Sequence, residues 1–201
     1  MALNLDDIER LFSLKGELMY TGEPVTQLEH ALQTACLAEE SGADDALVTA
    51  CLLHDLGHML NDQGDTPTLR GLDDAHQYFV LPFLRGLFPD RVLDVIKLHV
   101  DAKRYLCCVN PDYWADLSAD SQRSLELQGG IFDRAQSAAF ISQTHAFDAV
   151  RLRRWDDEAK QPDVSTPTLA HFLERAARCC TRPSVHQGDE QMLSSVKATR
   201  A

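Results

Sequence analysis

Apolar side chains recur at the spacing of an amphipathic helix along most of this 201-residue chain, and this periodicity constrains the fold more than any other feature. The stretches 5–12 and 92–99 each carry such a stripe, and no stretch shows the strict alternation typical of a half-buried β-strand. A chain of this length is most simply one domain. We therefore predict an all-α fold, with a single helical bundle over residues 1–182. The remaining residues, 183–201, are polar and weakly periodic, as is typical of a disordered tail.

Local signals predict where the helices begin and end. Thr26, with Glu29 three residues later, is typical of a capping box and predicts a helix that continues to about Glu40. The Asp, Gly, Thr and Pro residues between Asn61 and Arg70 predict a loop. The apolar periodicity predicts further helices over about 45–58, 71–87, 89–106, 118–129, from 134 or 137 to 159, and 166–180.

Histidine and aspartate residues recur within these predicted helices. The adjacent pair His54 and Asp55 combines a nitrogen ligand with a carboxylate that can bridge two ions. A single histidine in a helix is more often an ordinary core or surface residue. Several buried imidazoles and carboxylates are costly without a metal or hydrogen bonds, and helical bundles build di-iron sites from such groups. The ordered set predicts a two-metal site with six ligands: His30, His54, Asp55, His76, His99 and Asp156.

Composition excludes some classes of protein. The formal net charge of -12 argues against a general nucleic-acid binder, because backbone recognition needs concentrated positive charge. No apolar run approaches the roughly 20 residues that span a bilayer, so we expect no membrane partner. The six cysteines lack a CxxC spacing, which predicts reduced thiols and a cytoplasmic location. The oligomeric state is left open by the sequence.

The motifs around these ligands resemble known enzymes. The HD pair and its partners resemble the HD-domain superfamily of all-helical, metal-dependent enzymes, most of which are phosphohydrolases. The longer stretches are more specific. They resemble the HD-domain mixed-valence di-iron oxygenases of the organophosphonate-degrading PhnZ/TmpB group, in order from about Met19 to Gln161. These stretches are YTGEPVTQLEH from Tyr20, LLHDLGH around His54, HVDAKRYL from His99, SQRSLELQGG from Ser121 and RRWDDEAKQ from Arg153.

This resemblance implies a set of metal ligands and a mobile loop. One iron would be held by His30, His54 and Asp156 and the other by His76 and His99, with Asp55 bridging an Fe(II)/Fe(III) pair. Dioxygen would be the co-substrate. Tyr20 would close the open coordination position until the substrate arrives, and Glu23 would face the amine end of that substrate.

The resemblance also implies a phosphonate pocket, and the charges of the chain support one. A phosphonate dianion needs donors that stay charged, which lysine and arginine supply. Lys103 lies four residues after His99, and Arg153 lies three before Asp156, so each shares a helical face with a predicted ligand. Both could instead be solvated surface cations. The implied substrate contacts are His58, Lys103, Ser121, Ser124, Gln128 and Arg153.

The function predicted in this way is oxygen-dependent cleavage of a C–P bond. The substrate would be 1-hydroxy-2-aminoethylphosphonate or its N-trimethylated relative, and the products phosphate and glycine or glycine betaine. The sequence does not decide between the amine and the trimethylammonium. Two alternatives remain: a phosphohydrolase that acts on nucleotides or other phosphate esters with the same six ligands, and a non-catalytic HD module. The second predicts missing ligands, and none is missing.

Overall fold

A computed structural model of the chain describes residues 2–20, 22–61, 67–73 and 75–181. These residues form helices and loops without a β-strand, which confirms the predicted all-α fold. The predicted tail and its boundary with the bundle lie outside the described residues. Besides a short 3-10 turn at Pro67–Arg70, the described helices are α1 (Leu5–Lys15), α2 (Gln27–Glu40), α3 (Asp45–Leu53), α4 (Leu56–Leu60), α5 (His76–Phe79), α6 (Leu81–Leu84), α7 (Asp90–Val109), α8 (Tyr113–Asp116), α9 (Ala119–Leu127), α10 (Arg134–Ile141), α11 (Ala146–Glu158) and α12 (Leu169–Cys179).

Helix α2 begins where the sequence predicts. The Thr26 side chain accepts a hydrogen bond from the Glu29 amide at 3.1 Å, and the Glu29 carboxylate accepts one from the Thr26 amide at 2.7 Å. Both ends of this capping box satisfy amides that the first helical turn leaves without partners. The box sets the start of the helix that carries His30.

The long helix α7 lies at the centre of the bundle. It packs along α11 and also contacts α3 and α10, while α3 packs against α2 and α12. Fully buried apolar side chains such as Leu52, Ile96 and Leu152 fill the space between these helices. No described helix is long and apolar enough to cross a bilayer. Five of the six predicted metal ligands lie on these helices or directly after α3, and His76 lies on α5, which contacts α7, so the packing of the core also brings them together.

Two predicted helices are interrupted in the structure. The stretch 45–58 is not one helix, because α3 ends at Leu53 and α4 begins at Leu56, with Asp55 between them at φ -102° and ψ 9°. The stretch from 134 to 159 is likewise divided, with His145 in the left-handed region at φ 67°. Periodicity missed both breaks because each is short and has apolar residues on both sides: Leu53 and Leu56 at the first, Ile141 and Ala146 at the second. The aspartate side chain can form hydrogen bonds with nearby backbone groups in non-helical conformations, which is consistent with the first break.

Two other boundaries also differ from prediction. Among the described residues of the predicted helix 71–87, only α5 and α6 are helical, and Ala75 before them is left-handed at φ 48°. Helix α7 continues to Val109, beyond the predicted end near residue 106. These differences shorten the elements around His76 and lengthen the one that carries His99.

Gly57 permits the close approach of α4 and α5. A Cβ atom at this position would lie 2.3 Å from the carbonyl oxygen of His76 and 2.9 Å from its Cα. Contacts of that length are not tolerated, so only glycine lets the His76 backbone pack this tightly against the segment that follows Asp55. The glycine in LLHDLGH thus has a packing function, because it lets His76 lie close to His54 and Asp55.

Candidate metal centre

The six predicted ligands lie together in the interior of the bundle. All are buried, with exposed fractions of 6% or less, although they come from distant parts of the chain. They are His30 on α2, His54 and Asp55 between α3 and α4, His76 on α5, His99 on α7 and Asp156 on α11. Two groups of three, which share Asp55, have ligand atoms within 4.8 Å of one another. A set of this kind can hold two ions.

The two oxygens of Asp55 face different groups of histidines. Oδ2 lies 3.6 Å from His30 Nε2 and 3.4 Å from His54 Nε2. Oδ1 lies 3.3 Å from His76 Nε2 and 3.7 Å from His99 Nε2. Ligand atoms that share an ion at bonds of about 2.1 Å are roughly 3 to 3.5 Å apart. Asp55 is therefore arranged as a bridging carboxylate.

Asp156 completes the first of the two groups. Its Oδ1 lies 3.4 Å from His30 Nε2 and 3.9 Å from His54 Nε2. Its Oδ2 instead accepts a hydrogen bond of 2.5 Å from Arg153. One oxygen is thus available to a metal while the other is held by a cation of the protein.

Backbone carbonyls orient three of the histidines. The Nδ1 atoms of His30, His54 and His99 lie 2.6–2.8 Å from the carbonyl oxygens of Ala159, Cys51 and Ile96. A carbonyl can only accept, so Nδ1 carries a proton in each ring, and Nε2 is the nitrogen that faces the centre and can bind a metal. This arrangement is common among histidines that bind metals.

The resulting centre fits a pair of cations. The Nε2 atoms of His30 and His54 are 3.3 Å apart, and those of His76 and His99 are 3.1 Å apart. Lone pairs that face each other at these distances repel unless a cation or a proton lies between them. Asp55 Oδ2 and Asp156 Oδ1 are also buried without a hydrogen-bond donor. Imidazole and carboxylate ligands suit iron, zinc or manganese.

The charge of the site suits divalent or trivalent ions. Burial by itself raises the pKa of the Asp55 carboxyl, but the nearby histidines, His54 first, outweigh it and hold the pKa well below its usual value. Burial acts in the same direction at Asp156, where the Arg153 guanidinium outweighs it and again lowers the pKa strongly. Burial lowers the pKa of His99, which keeps that imidazole neutral. The site therefore combines ionised carboxylates with imidazoles that can bind metal.

A cavity of about 200 Å³ opens beside the histidines, and most of the predicted substrate contacts line it. Tyr20, His58, Lys103, Ser121, Ser124, Gln128 and Arg153 all contribute to its wall. Lys103 donates a hydrogen bond of 2.7 Å to Ser124 Oγ. Burial, with the charge of Arg153 in addition, lowers the pKa of Lys103 to about 7. A buried guanidinium and a buried amine that is protonated below about pH 7 thus lie beside the candidate metal centre, an arrangement that suits an anionic substrate.

Tyr20 covers one side of this centre. Its ring stacks on the imidazole of His30 with the ring centres 4.1 Å apart and the planes 12° from parallel. Burial, together with the charges of Asp55 and Asp156, raises the pKa of its phenol well above the usual value. The phenol is therefore protonated and lies close to the bridging carboxylate.

Glu23 lies on the same loop but does not line the cavity. Its carboxylate pairs with Lys160, at 3.3 Å between Oε1 and Nζ, and both side chains are 11% exposed. The Lys160 ammonium also lies 6.0 Å from the centre of the Tyr20 ring. The loop that carries Tyr20 and Glu23 is thus tied to the chain just after α11.

Sequence reasoning did not identify every residue of this region. Lys160 and Asp157 both lie within the stretch RRWDDEAKQ, yet neither was assigned a role. Gln27 lines the cavity in addition to the predicted residues. Tyr113 contacts Arg153 from α8, about 40 residues earlier in the chain. The motif could have indicated Asp157 and Lys160, but no local signal points to Tyr113.

Comparison with known proteins agrees with the geometry. Residues 28–154 match the family model of the HD domain. The hydroxymethylphosphonate dioxygenase of Gimesia maris is 46% identical over 165 residues, which is 82% of this chain and 82% of the relative. The [1-hydroxy-2-(trimethylamino)ethyl]phosphonate dioxygenase (glycine-betaine-forming) of Leisingera caerulea is 36% identical over 168 residues, or 84% and 86% of the two chains. An uncharacterised protein of Acanthamoeba polyphaga mimivirus is 32% identical over 172 residues, or 84% and 78%. The chain therefore belongs to the HD-domain family, within the organophosphonate-degrading oxygenase group that its motifs resemble.

Proposed function

We propose that this protein cleaves the C–P bond of a small 1-hydroxyalkylphosphonate with dioxygen and releases phosphate. The observation that carries the proposal is the carboxylate of Asp55, which faces two groups of ligands beside a cavity walled by Lys103 and Arg153. A two-metal centre next to buried cations suits an anionic substrate that also contacts a metal. Two relatives named as phosphonate dioxygenases favour the oxygenase over the phosphohydrolase.

The metals in this proposal are two iron ions held by the six buried ligands. When bound, the iron would activate dioxygen and contact the substrate hydroxyl as a Lewis acid. The residues of the chain fix the rest of the arrangement. Asp55 would hold both ions, one through each oxygen, and imidazoles hydrogen-bonded to carbonyls keep Nε2 directed at the centre.

The phosphonate would bind Lys103 and Arg153, because both are buried cations on the cavity wall. Its remaining oxygens would accept hydrogen bonds from the predicted polar contacts, which are His58, Ser121, Ser124 and Gln128. The phenol of Tyr20 covers the His30 side of the centre, where it excludes water until a substrate displaces it.

Three substrates fit this proposal to different degrees. The sequence predicts 1-hydroxy-2-aminoethylphosphonate or its trimethylated form, with Glu23 near the cation. The pairing of Glu23 with Lys160 disfavours such a cation, since it would have to compete with the lysine. Hydroxymethylphosphonate, the substrate in the name of one relative, carries no cation. Cleavage of hydroxymethylphosphonate with one O2 would give formate and phosphate, which accounts for all atoms.

The compartment and the extent of the domain are also part of the proposal. All six cysteines are free, which is consistent with a reducing cytoplasm. A net charge of -12 disfavours nucleic acid as a partner. We propose that residues 1–182 form one catalytic domain.

The test uses the protein purified with its own metals, whose identity and number are measured first by elemental analysis. Each of the three phosphonates is added without oxygen, and oxygen is then admitted. Oxygen-dependent release of phosphate with formate, glycine or glycine betaine supports the proposal, as does a mixed-valence iron EPR signal that changes on substrate addition. Manganese-dependent hydrolysis of nucleotides, without phosphate release from any phosphonate, would show the phosphohydrolase instead.

A further inference from the structure

The guanidinium of Arg153 is held by three side chains, and two of them, Tyr113 and Asp157, have no role in the proposed function. Arg153 is 4% exposed, and each of its three nitrogens donates to a different partner. Nη1 donates to Asp156 Oδ2 at 2.5 Å, Nη2 donates to Asp157, and Nε donates to the Tyr113 hydroxyl at 3.2 Å. Tyr113 in turn donates to the other oxygen of Asp157. The four side chains form a closed network.

Two N–H groups of Arg153 lie outside this network. A guanidinium carries five N–H groups in one plane. Three are used by Asp156, Asp157 and Tyr113, so one N–H on each terminal nitrogen remains. Arg153 also forms part of the cavity wall. With three of its N–H groups fixed, the plane of the guanidinium cannot rotate, and the direction of the remaining two is set in advance.

We propose that Tyr113 and Asp157 are positioning residues that fix Arg153 so that it holds the outer oxygen of Asp156 and presents its two remaining N–H groups to the phosphonate. This inference rests on the proposed function, because it assigns the anion at that site. Neither residue lines the cavity, and their hydrogen bonds join them to each other and to Arg153, so both act through Arg153. Planar, bidentate recognition of a phosphonate depends on the orientation of the guanidinium as well as its charge.

Electrostatics and positioning predict opposite effects for Asp157, which makes the proposal testable. Its carboxylate lies beside the cations that would bind the phosphonate, so removing its negative charge should strengthen anion binding by charge alone. If Asp157 acts by fixing Arg153, its removal should weaken binding. Glu158 is the matched control, since it is the next residue on α11, is exposed, and carries the same charge outside the network.

The experiment measures binding of methylphosphonate, which lacks the reacting hydroxyl, to the purified protein without oxygen by titration calorimetry. The variants are Asp157→Ala, Asp157→Asn, Tyr113→Phe and Glu158→Gln, with thermal unfolding recorded for each. We expect Kd to rise about tenfold for Asp157→Ala and about threefold for Tyr113→Phe. The guanidinium of these variants would no longer be fixed before binding, and the phosphonate would have to order it. Asp157→Asn keeps an oxygen acceptor and should rescue part of the affinity. Glu158→Gln should leave Kd within about a factor of two.

Each outcome bears on the inference. Tighter or unchanged binding in folded Asp157→Ala and Tyr113→Phe would overturn it, as would equal weakening by Glu158→Gln. Loss of thermal stability in these two variants without a change in Kd would show a merely structural network and would also overturn it. If the unmodified protein binds methylphosphonate but releases no phosphate from any substrate, the proposed function fails while the binding series still tests the network. If it binds no phosphonate at all, both are wrong.

Discussion

Replacing Gly57 by alanine is expected to remove one metal from the centre while leaving the other in place. The new Cβ would lie 2.3 Å from the His76 carbonyl oxygen, whereas ordinary contacts begin at 3.4 Å. The His76 backbone must therefore retreat by about 1 Å. Metal sites tolerate deviations of only about 0.2 Å in ligand distance, so His76 would no longer reach its ion.

The stability of this variant results from two opposing effects. Alanine is favoured over glycine in a helix by about 0.5–1 kcal/mol. Overpacking of a tight contact costs about 1–3 kcal/mol, and here the obstacle is backbone, which cannot move aside like the end of a flexible side chain. The steric cost exceeds the gain in propensity. We expect a net loss of roughly 1–2 kcal/mol in the metal-free protein, measured by chemical denaturation.

Metal content is the decisive measurement. Elemental analysis of the Gly57→Ala variant should give about half the metal per chain of the unmodified protein, because the His30, His54 and Asp156 group is untouched. Gly42→Ala is the control, since Gly42 has φ +72° and an added Cβ would meet nothing within 4 Å. It should lose stability through backbone strain yet keep its full metal content. A Gly57→Ala protein with full metal content and unchanged stability would refute the packing argument.

Three further outcomes follow from charged groups in the structure. Because the pKa of Lys103 is lowered to about 7, its ammonium is lost as the pH rises through that value, so KM for the phosphonate should rise from pH 6 to 8. Lys103→Arg, which stays protonated, should flatten that profile, and an unchanged profile would contradict the assignment. Lys160→Met should release Glu23 and lower KM for the aminoethylphosphonate relative to hydroxymethylphosphonate by several fold, whereas an unchanged ratio would show that the pair does not affect selectivity. Hydrogen bonds from Arg178 lower the pKa of Asp45 from 3.8 to about 2, so its contribution to stability is present above pH 4 and is lost as the pH falls through 2. Asp45→Asn should therefore lower Tm at pH 7 but not below pH 2, and an equal decrease at both would refute the linkage.

Helix periodicity predicted where the protein is helical better than it predicted where the helices break. The capping box at Thr26 was correct because the signal is local: a side chain, its own backbone and a partner three residues away. The break at Asp55 and the one at His145 were missed. At both places one residue leaves the helical region, at φ -102° for Asp55 and φ 67° for His145, and apolar periodicity carries no signal for such a single-residue break.

The candidate metal ligands could be predicted from the sequence, whereas the ion pair beside the cavity could not. Residue type and order were enough to predict which six side chains the fold brings together as candidate metal ligands, because few other side chains can bind a metal and buried ones need partners. Glu23 was predicted to face the substrate, and its pairing with Lys160 emerged only from the structure. The partner of a charged residue depends on which distant side chain the fold brings near. The charge of the residue and its place in the sequence do not identify that partner.

The sequence by itself thus determined that this chain is an all-helical protein of the HD-domain family, and it predicted six residues for a two-metal site. The helices follow from spacing along the chain and the candidate ligands from chemical type, and both can be read without a structure. Only the tertiary structure decided that Asp55 turns one oxygen to each group of histidines and that Gly57 lets His76 approach. It also joined Tyr113 to Arg153 and Asp157. Those contacts join residues far apart in the chain, and their geometry is set by the packing of the whole core.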